Sequence, residues 1–243
     1  MKNAVITGGA KGIGEAIARK LALGGYRVFI CFNASGERAE KLEKELKSAG
    51  CDAYAVHLDV TDGCEIQSLA EKIKKEFGGA DILINNAGIC QSSLFDMLSD
   101  SDIDKMLDTN LRSVLLVSKA FLPQMKSKHS GAIINISSIW GEVGGSCEVH
   151  YSAAKAGVIG FTKALAKEVG PCGITVNAVS PGAINTDMMS DYSESDISDI
   201  IEQTPLGRIG TTDDVANTVA FLAGDGAGFI TGQVIGVDGG FGR

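Results

Sequence analysis

A chain of 243 residues is long enough to bury a full core around one sheet. It is 44% hydrophobic and 21% charged with 31 glycines, a globular balance rich in tight turns that excludes an intrinsically disordered chain. A formal net charge of −8 with no local basic patch argues against a nucleic acid or an anionic membrane surface as partner.

Short β-branched runs alternate with longer stretches of helical period, the pattern of repeated βαβ units. The chain opens on a strand near 4–7 with no signal-peptide pattern before it, and a helix near 12–23 follows a cluster of glycines. Strands near 28–32, 53–57 and 82–85 alternate with helices near 37–49 and 65–77. A long helix is expected over 102–127, a strand near 133–136, a helix over 152–169, a strand near 175–179, a helix over 212–223 and a last strand near 234–237. The fold class predicted is α/β: a single Rossmann-type, doubly wound domain over 1–243, its seven-stranded parallel sheet flanked by helices on both faces. The segment 183–210 has no sheet partner and leaves the carboxyl end of a strand, where such sheets bind ligands, so it reads as a substrate lid.

Cys31, Cys51, Cys64, Cys90, Cys147 and Cys172 have neither metal-ligand spacing nor a paired CxxC, so they read as reduced thiols and no metal site is expected. No apolar run approaches the ~18 residues that span a bilayer. A cytoplasmic location follows as the expectation.

In Thr7-Gly8-Gly9-Ala10-Lys11-Gly12-Ile13-Gly14 the glycines allow a sharp turn and close approach of backbone to a pyrophosphate, which the amides opening the next helix would hold. A plain tight turn also explains this spacing taken alone. Asp59-Val60 closes the third strand and Asn85-Asn86-Ala87-Gly88 the fourth, at the same edge of the sheet. Turn chemistry is the competing explanation for either asparagine considered singly.

With Asn110, Ser138, Tyr151-x-x-x-Lys155 and Pro181-Gly182 in order, the chain resembles the short-chain dehydrogenase/reductase family over essentially its whole length. The resemblance implies a nicotinamide cofactor lined by Thr7, Gly8, Lys11, Gly12, Ile13, Gly14, Asn33, Ser35, Val60, Asn86, Ala87, Gly88, Tyr151, Lys155, Pro181 and Gly182. It also implies that Asp59 bonds the adenine and that Ile184 and Thr186 face the nicotinamide. Catalysis would fall to Tyr151, Lys155, Ser138 and Asn110, the last holding a water that links Lys155 to solvent.

Tyr151 and Lys155 stand four apart on a helix, on one face, so the ammonium can lie near the phenol and lower its pKa. The protonated phenol would then give its proton to a carbonyl oxygen while Ser138 donates a hydrogen bond to it. At the end of the second strand, Phe32-Asn33-Ala34-Ser35 has no carboxylate to repel a 2′-phosphate, and Lys11, with Arg38, can reach one; NADP(H) is expected over NAD(H). A solvated loop charge is the other reading of Lys11.

The pattern is similar to the 3-oxoacyl-acyl-carrier-protein reductases, whose substrate rides on an acidic acyl carrier protein. Two basic carrier-docking positions of that group align with His129 and Cys172, and the lid carries Asp187, Asp191, Glu194, Asp196, Asp199 and Glu202. The run from Ser137 to Tyr151 more closely resembles the elongation factor P 5-aminopentanone reductases. Trp140 would then wall the site, and Glu142 and Glu148 would face a cationic amine of a ketone carried on elongation factor P. Solvent-facing glutamates and a merely polar lid are the alternative. A non-catalytic NADP(H)-sensing regulator is a third class, disfavoured because both Tyr151 and Lys155 are present. The small residues Ala153, Ala154, Ala156, Gly157 and Gly160 permit close approach by a helix or a second subunit, and the family resemblance implies a homotetramer.

Overall fold

The computed structural model describes residues 1–189 and 192–242. Strands β1 (Asn3–Thr7), β2 (Arg27–Phe32), β3 (Ala53–His57), β4 (Ile82–Asn85), β5 (Gly131–Ile136), β6 (Ile174–Pro181) and β7 (Val234–Val237) form one sheet in the order β3-β2-β1-β4-β5-β6-β7. Every pairing is parallel. The order reverses between β1 and β4, which opens the crevice that doubly wound sheets offer to ligands.

Because both faces are covered, the strands are apolar almost throughout, and side-chain alternation divides them between two cores. Ala4 and Ile6 of β1, Val28 and Ile30 of β2 and Ile82 and Ile84 of β4 pack with Ile17 and Leu21 of α1 (Gly12–Leu23) and Leu42 of α2 (Gly36–Ser48). Val5, Phe29 and Leu83 point the other way, onto Ile66 and Ile73 of α3 (Gly63–Phe77).

The helix expected over 102–127 is broken. α4 (Asp100–Leu107) and α5 (Ser113–Lys128) are separated by a π turn, Asp108–Arg112, which swings the fully buried Asn110 inward. Both ends of its carboxamide bond the backbone of Ile89, as Ile89 N donates to Oδ1 at 2.8 Å and Nδ2 donates to Ile89 O at 2.7 Å. The apolar period runs unbroken through Met106, Leu111 and Val114 and so hides the inserted residue. After a short helix, α6 (Trp140–Val143), α7 (Val149–Val169) starts three residues before the expected 152, which places Tyr151 in its first turn.

The segment 183–210 leaves β6 and returns to itself: Ile184 bridges Gly210, Gly210 N donates to Ala183 O and Asn185 N donates to Gly210 O. Between those pinned ends lies α8 (Glu194–Gln203), capped by Ser193 and Asp196 and with no fully buried residue. Asp191, one of the acids expected there, lies outside the described residues. α9 (Thr212–Ala223) then packs on α1 and the chain closes with β7. Among the described residues no helix is long and apolar enough to cross a membrane.

Candidate active site

The turn after β1 needs glycine for steric reasons. Gly8 and Gly12 have φ of +62° and +54°, a region costly for a residue with a Cβ. A Cβ on Gly14 would fall inside the radius of the Gly8 carbonyl oxygen and 2.6 Å from Asn86 Nδ2. The Lys11 side chain does not cap α1, so the amides of its first turn, at Gly12, Ile13 and Gly14, stand without a cap bond at the positive end of the helix dipole. That cradle, too tight for any side chain, suits the pyrophosphate of a dinucleotide.

Polar side chains between β1 and β4 hold the turn. The Thr7 hydroxyl accepts from the amides of Asn86 and Ala87 at 2.9 and 3.0 Å. Asn86 Nδ2 donates to the carbonyls of Thr7 and Gly8, both at 3.0 Å, so its donors are spent on the scaffold. Asn85 turns inward instead, donating to Ser118 and to Asn135, which in turn donates to Thr162 on α7. Scaffold bonds thus engage the amide nitrogens of both asparagines, while Asn85 Oδ1 is buried without a hydrogen-bond partner among the described residues. Gly88 lies where a Cβ would meet Asn110 Oδ1 at 3.0 Å and Lys155 Nζ at 3.6 Å.

Two bonds clamp the end of β5 to α7. Lys155 Nζ donates to Ile136 O at 2.9 Å, and Ser137 Oγ donates to Lys155 O at 3.0 Å. This register brings Ser138 to Tyr151, and the serine hydroxyl hydrogen-bonds the phenol. The Lys155 ammonium sits 5.6 Å from the centre of the Tyr151 ring. Burial pulls its pKa down from 10.5 to about 8. Burial pushes the Tyr151 phenol up, with Cys90 and Glu148 adding to the rise and only Ser138 opposing it among the principal influences. Lys155 is not among the principal influences on that phenol, its ammonium lying over the ring with one donor on the Ile136 carbonyl.

The two glutamates expected beside the site part company. Glu142 is exposed on α6, whereas Glu148, just before α7, is 7% exposed with its carboxylate 3.6 Å from the Cys90 thiol. Burial raises the pKa of Glu148, and burial followed by the Glu148 charge pushes Cys90 up to about 12. Burial raises the pKa of Tyr192, from the 183–210 segment, and the Glu148 carboxylate adds to the rise. Trp140 is held edge-on to Phe241 at 5.8 Å, and Gly145 has no room for a Cβ beside its indole. Cys90 is the site neighbour that the motifs miss, and its place two residues past Gly88 is the signal that would have found it.

At the other end of the groove Asp59 meets Asn33 through a side-chain hydrogen bond, and its Oδ1 accepts from the amide and hydroxyl of Thr61 at 2.8 and 2.7 Å. These bonds, the Thr61 amide foremost, hold its carboxyl below the usual range. Val60 is buried behind it. Ser35 begins α2 with its hydroxyl free of any capping bond. Pro181 O accepts from Ile139 N and Gly182 N donates to Val237 O, which ties β6 to the Ser138 loop and to β7. Ile184 is buried, and Thr186 lies 3.5 Å from where a Gly12 Cβ would stand, closing over the glycine turn.

A family model described as enoyl-(acyl carrier protein) reductase matches residues 8–242. The chain belongs to the short-chain dehydrogenase/reductase family. As a member it is an oxidoreductase acting on the CH–OH/C=O pair with a nicotinamide cofactor. It is 44% identical over 239 residues to the 3-oxoacyl-(acyl-carrier-protein) reductase FabG of Staphylococcus aureus, spanning 98% of this chain and 97% of that protein. The protein of the same name from Escherichia coli is also 44% identical over 239 residues, spanning 98% and 96%. That of Staphylococcus epidermidis is 43% identical, spanning 98% of both.

Proposed function

We propose that the chain is a cytoplasmic, NADPH-dependent reductase that turns a ketone into a secondary alcohol, with Tyr151 as proton donor, Ser138 as hydrogen-bond donor to the carbonyl, and Lys155 and Asn110 positioning the proton path. The observation that carries this reading is the convergence of the Ser138 hydroxyl and the Tyr151 phenol, with the Lys155 ammonium against the same ring. Two adjoining hydroxyls suit a carbonyl oxygen that gains negative charge as its carbon is reduced. Burial keeps the phenol protonated through the neutral range, the state from which a proton is given. The bound cofactor supplies the hydride. Thr7 to Gly14, Asn33, Ser35, Asp59, Val60, Asn86 to Gly88 and Pro181 to Thr186 would hold it, with Lys11 and Arg38 taking a 2′-phosphate.

The substrate we favour is the 5-aminopentanone group of modified elongation factor P. Its support is Glu148, a carboxylate buried beside the thiol of Cys90 and close enough to raise the Tyr151 pKa. A buried carboxylate in want of a cation fits a substrate that ends in an ammonium group. The acidic stretch from Asp187 to Glu202 suits the same cation. The second reading, reduction of a 3-oxoacyl group on acyl carrier protein, has for it the names of the relatives. Against it, His129 and Cys172 stand where arginines would dock an acidic carrier, and the lid's Arg208 is occupied by Asp214 at 2.8 Å. We read the assembly as a homotetramer, with exposed Leu115 and Phe221 as apolar surface for further copies; light scattering at four-chain mass tests it.

NADPH consumption should be followed side by side with the aminopentanone-bearing factor, acetoacetyl carrier protein and simple ketones. Turnover of the carrier protein alone would overturn the substrate reading. Tyr151→Phe should bind NADPH as the parent does and lose about 100- to 10,000-fold in kcat; near-parental turnover would overturn the proton-donor role.

A further inference from the structure

We infer that Asp187 is a specificity-determining residue for the cofactor: it latches the 183–210 segment to Arg38, so a dinucleotide bearing a 2′-phosphate must take the arginine from it. The inference rests on the NADPH reading above and adds a competitor to it. The 183–210 segment passes over the glycine turn at Thr186, whose methyl stands 3.5 Å from where a Gly12 Cβ would lie. One residue on, Asp187 crosses to α2, and its Oδ2 accepts from Arg38 Nη1 at 2.7 Å. Arg38 is the third residue of α2, just past Asn33 and Ser35 at the end of β2, and Lys11 of the glycine turn lies within the field of the same aspartate.

Glycine turn, β2–α2 connection and lid therefore meet around one carboxylate. An arginine fork there donates to either a carboxylate or a phosphate, and both claimants carry negative charge. The pair is open to water, with side chains 60% and 61% exposed, so the exchange needs no desolvation of a buried charge. Glu15, paired with Arg19, adds a weaker negative field at Arg38. A phosphate carries about twice the charge of the aspartate and wins the arginine, at the cost of the lid contact. A dinucleotide without the 2′-phosphate makes no such claim and leaves the latch closed.

Dissociation constants for NADPH and NADH should be measured by cofactor fluorescence on the full chain, its Asp187→Asn and Arg38→Ala variants and the double variant. Removing an exposed ion-pair partner is expected to tighten NADPH two- to fivefold in Asp187→Asn and leave NADH unchanged. In the Arg38→Ala background the same substitution should do nothing. Amide hydrogen exchange over 186–203 in the cofactor-free protein should speed up in Asp187→Asn. The latch is overturned if the two cofactors shift together, or if NADPH binds more weakly in Asp187→Asn. A parent protein that prefers NADH, or an Arg38→Ala variant that binds NADPH undiminished, overturns the NADPH reading and the latch with it; Arg38→Ala weak but Asp187→Asn silent overturns the latch alone.

Discussion

Lys155→Met should make the protein more stable and inactive. The ammonium is 5% exposed and held at about 8 against an ordinary 10.5. Each tenfold in that constant is about 1.4 kcal/mol, so burial penalises the charged form by about 3 kcal/mol. Methionine fills nearly the same volume without the charge, but it surrenders the bond to Ile136 O, worth about 2 kcal/mol for a charged donor. The net gain is about 1 kcal/mol, or roughly 2–4 °C in Tm for a chain of this size. The sign depends on pH. A folded-state value below the unfolded one means that the unfolded chain binds more protons between about 8 and 10.5, so parental stability climbs with pH across that window. Below about pH 8 the penalty is complete and the variant leads; above it the lead shrinks and reverses. Thermal denaturation of both proteins at pH 7 and pH 9.5, with NADPH turnover recorded on the same samples, provides the check. A variant that melts lower at pH 7, with a gap indifferent to pH, would refute the reasoning.

Gly14→Ala should cost about 2 kcal/mol, roughly 4–8 °C in Tm, and weaken dinucleotide binding at least tenfold, because the new methyl meets the Gly8 carbonyl and displaces Asn86; calorimetry and a fluorescence titration read the two effects. Glu148→Gln should lower kcat/KM for an amine-bearing ketone about tenfold or more relative to a neutral ketone of equal length. Since burial raises the Glu148 pKa, that discrimination in the parent should fade as pH falls and the carboxylate takes up its proton, which a pH series of the two kcat/KM values measures.

What was legible in the sequence is what local geometry enforces. A turn with φ of +54° or +62° demands glycine, and a spacing of four on a helix stacks Tyr151 and Lys155, so both features read directly from neighbours along the chain. The apolar alternation likewise reveals strands covered on both faces. The π turn at Asp108–Arg112 was hidden because an extra residue barely disturbs an apolar stripe. Glu142 and Glu148 looked equivalent in sequence, but the first is exposed on the short helix α6 and the second is buried just before α7. The partner of Arg38 stands 149 residues away, across a lid whose path no periodicity records.

The groups around Tyr151 share one electrostatic cause. Burial drives Lys155 down and drives Tyr151, Glu148 and Cys90 up, so each is pushed toward its uncharged form. In such surroundings a proton leaving the phenol cannot leave its charge to be dispersed by water; the charge has to be met by fixed groups. The Ser138 hydroxyl at the phenol is such a group, beside the Lys155 side chain that its bond to Ile136 O fixes over the ring. Their positions cost no rearrangement at the moment of transfer. The asparagines have a different part: Asn86 ties the glycine turn to the end of β4, and Asn110 ties the Ile89 backbone to the π turn. Proton donor and dinucleotide cradle are thus set by the same parallel edge, and a substitution in either reaches the chemistry through the distance between them.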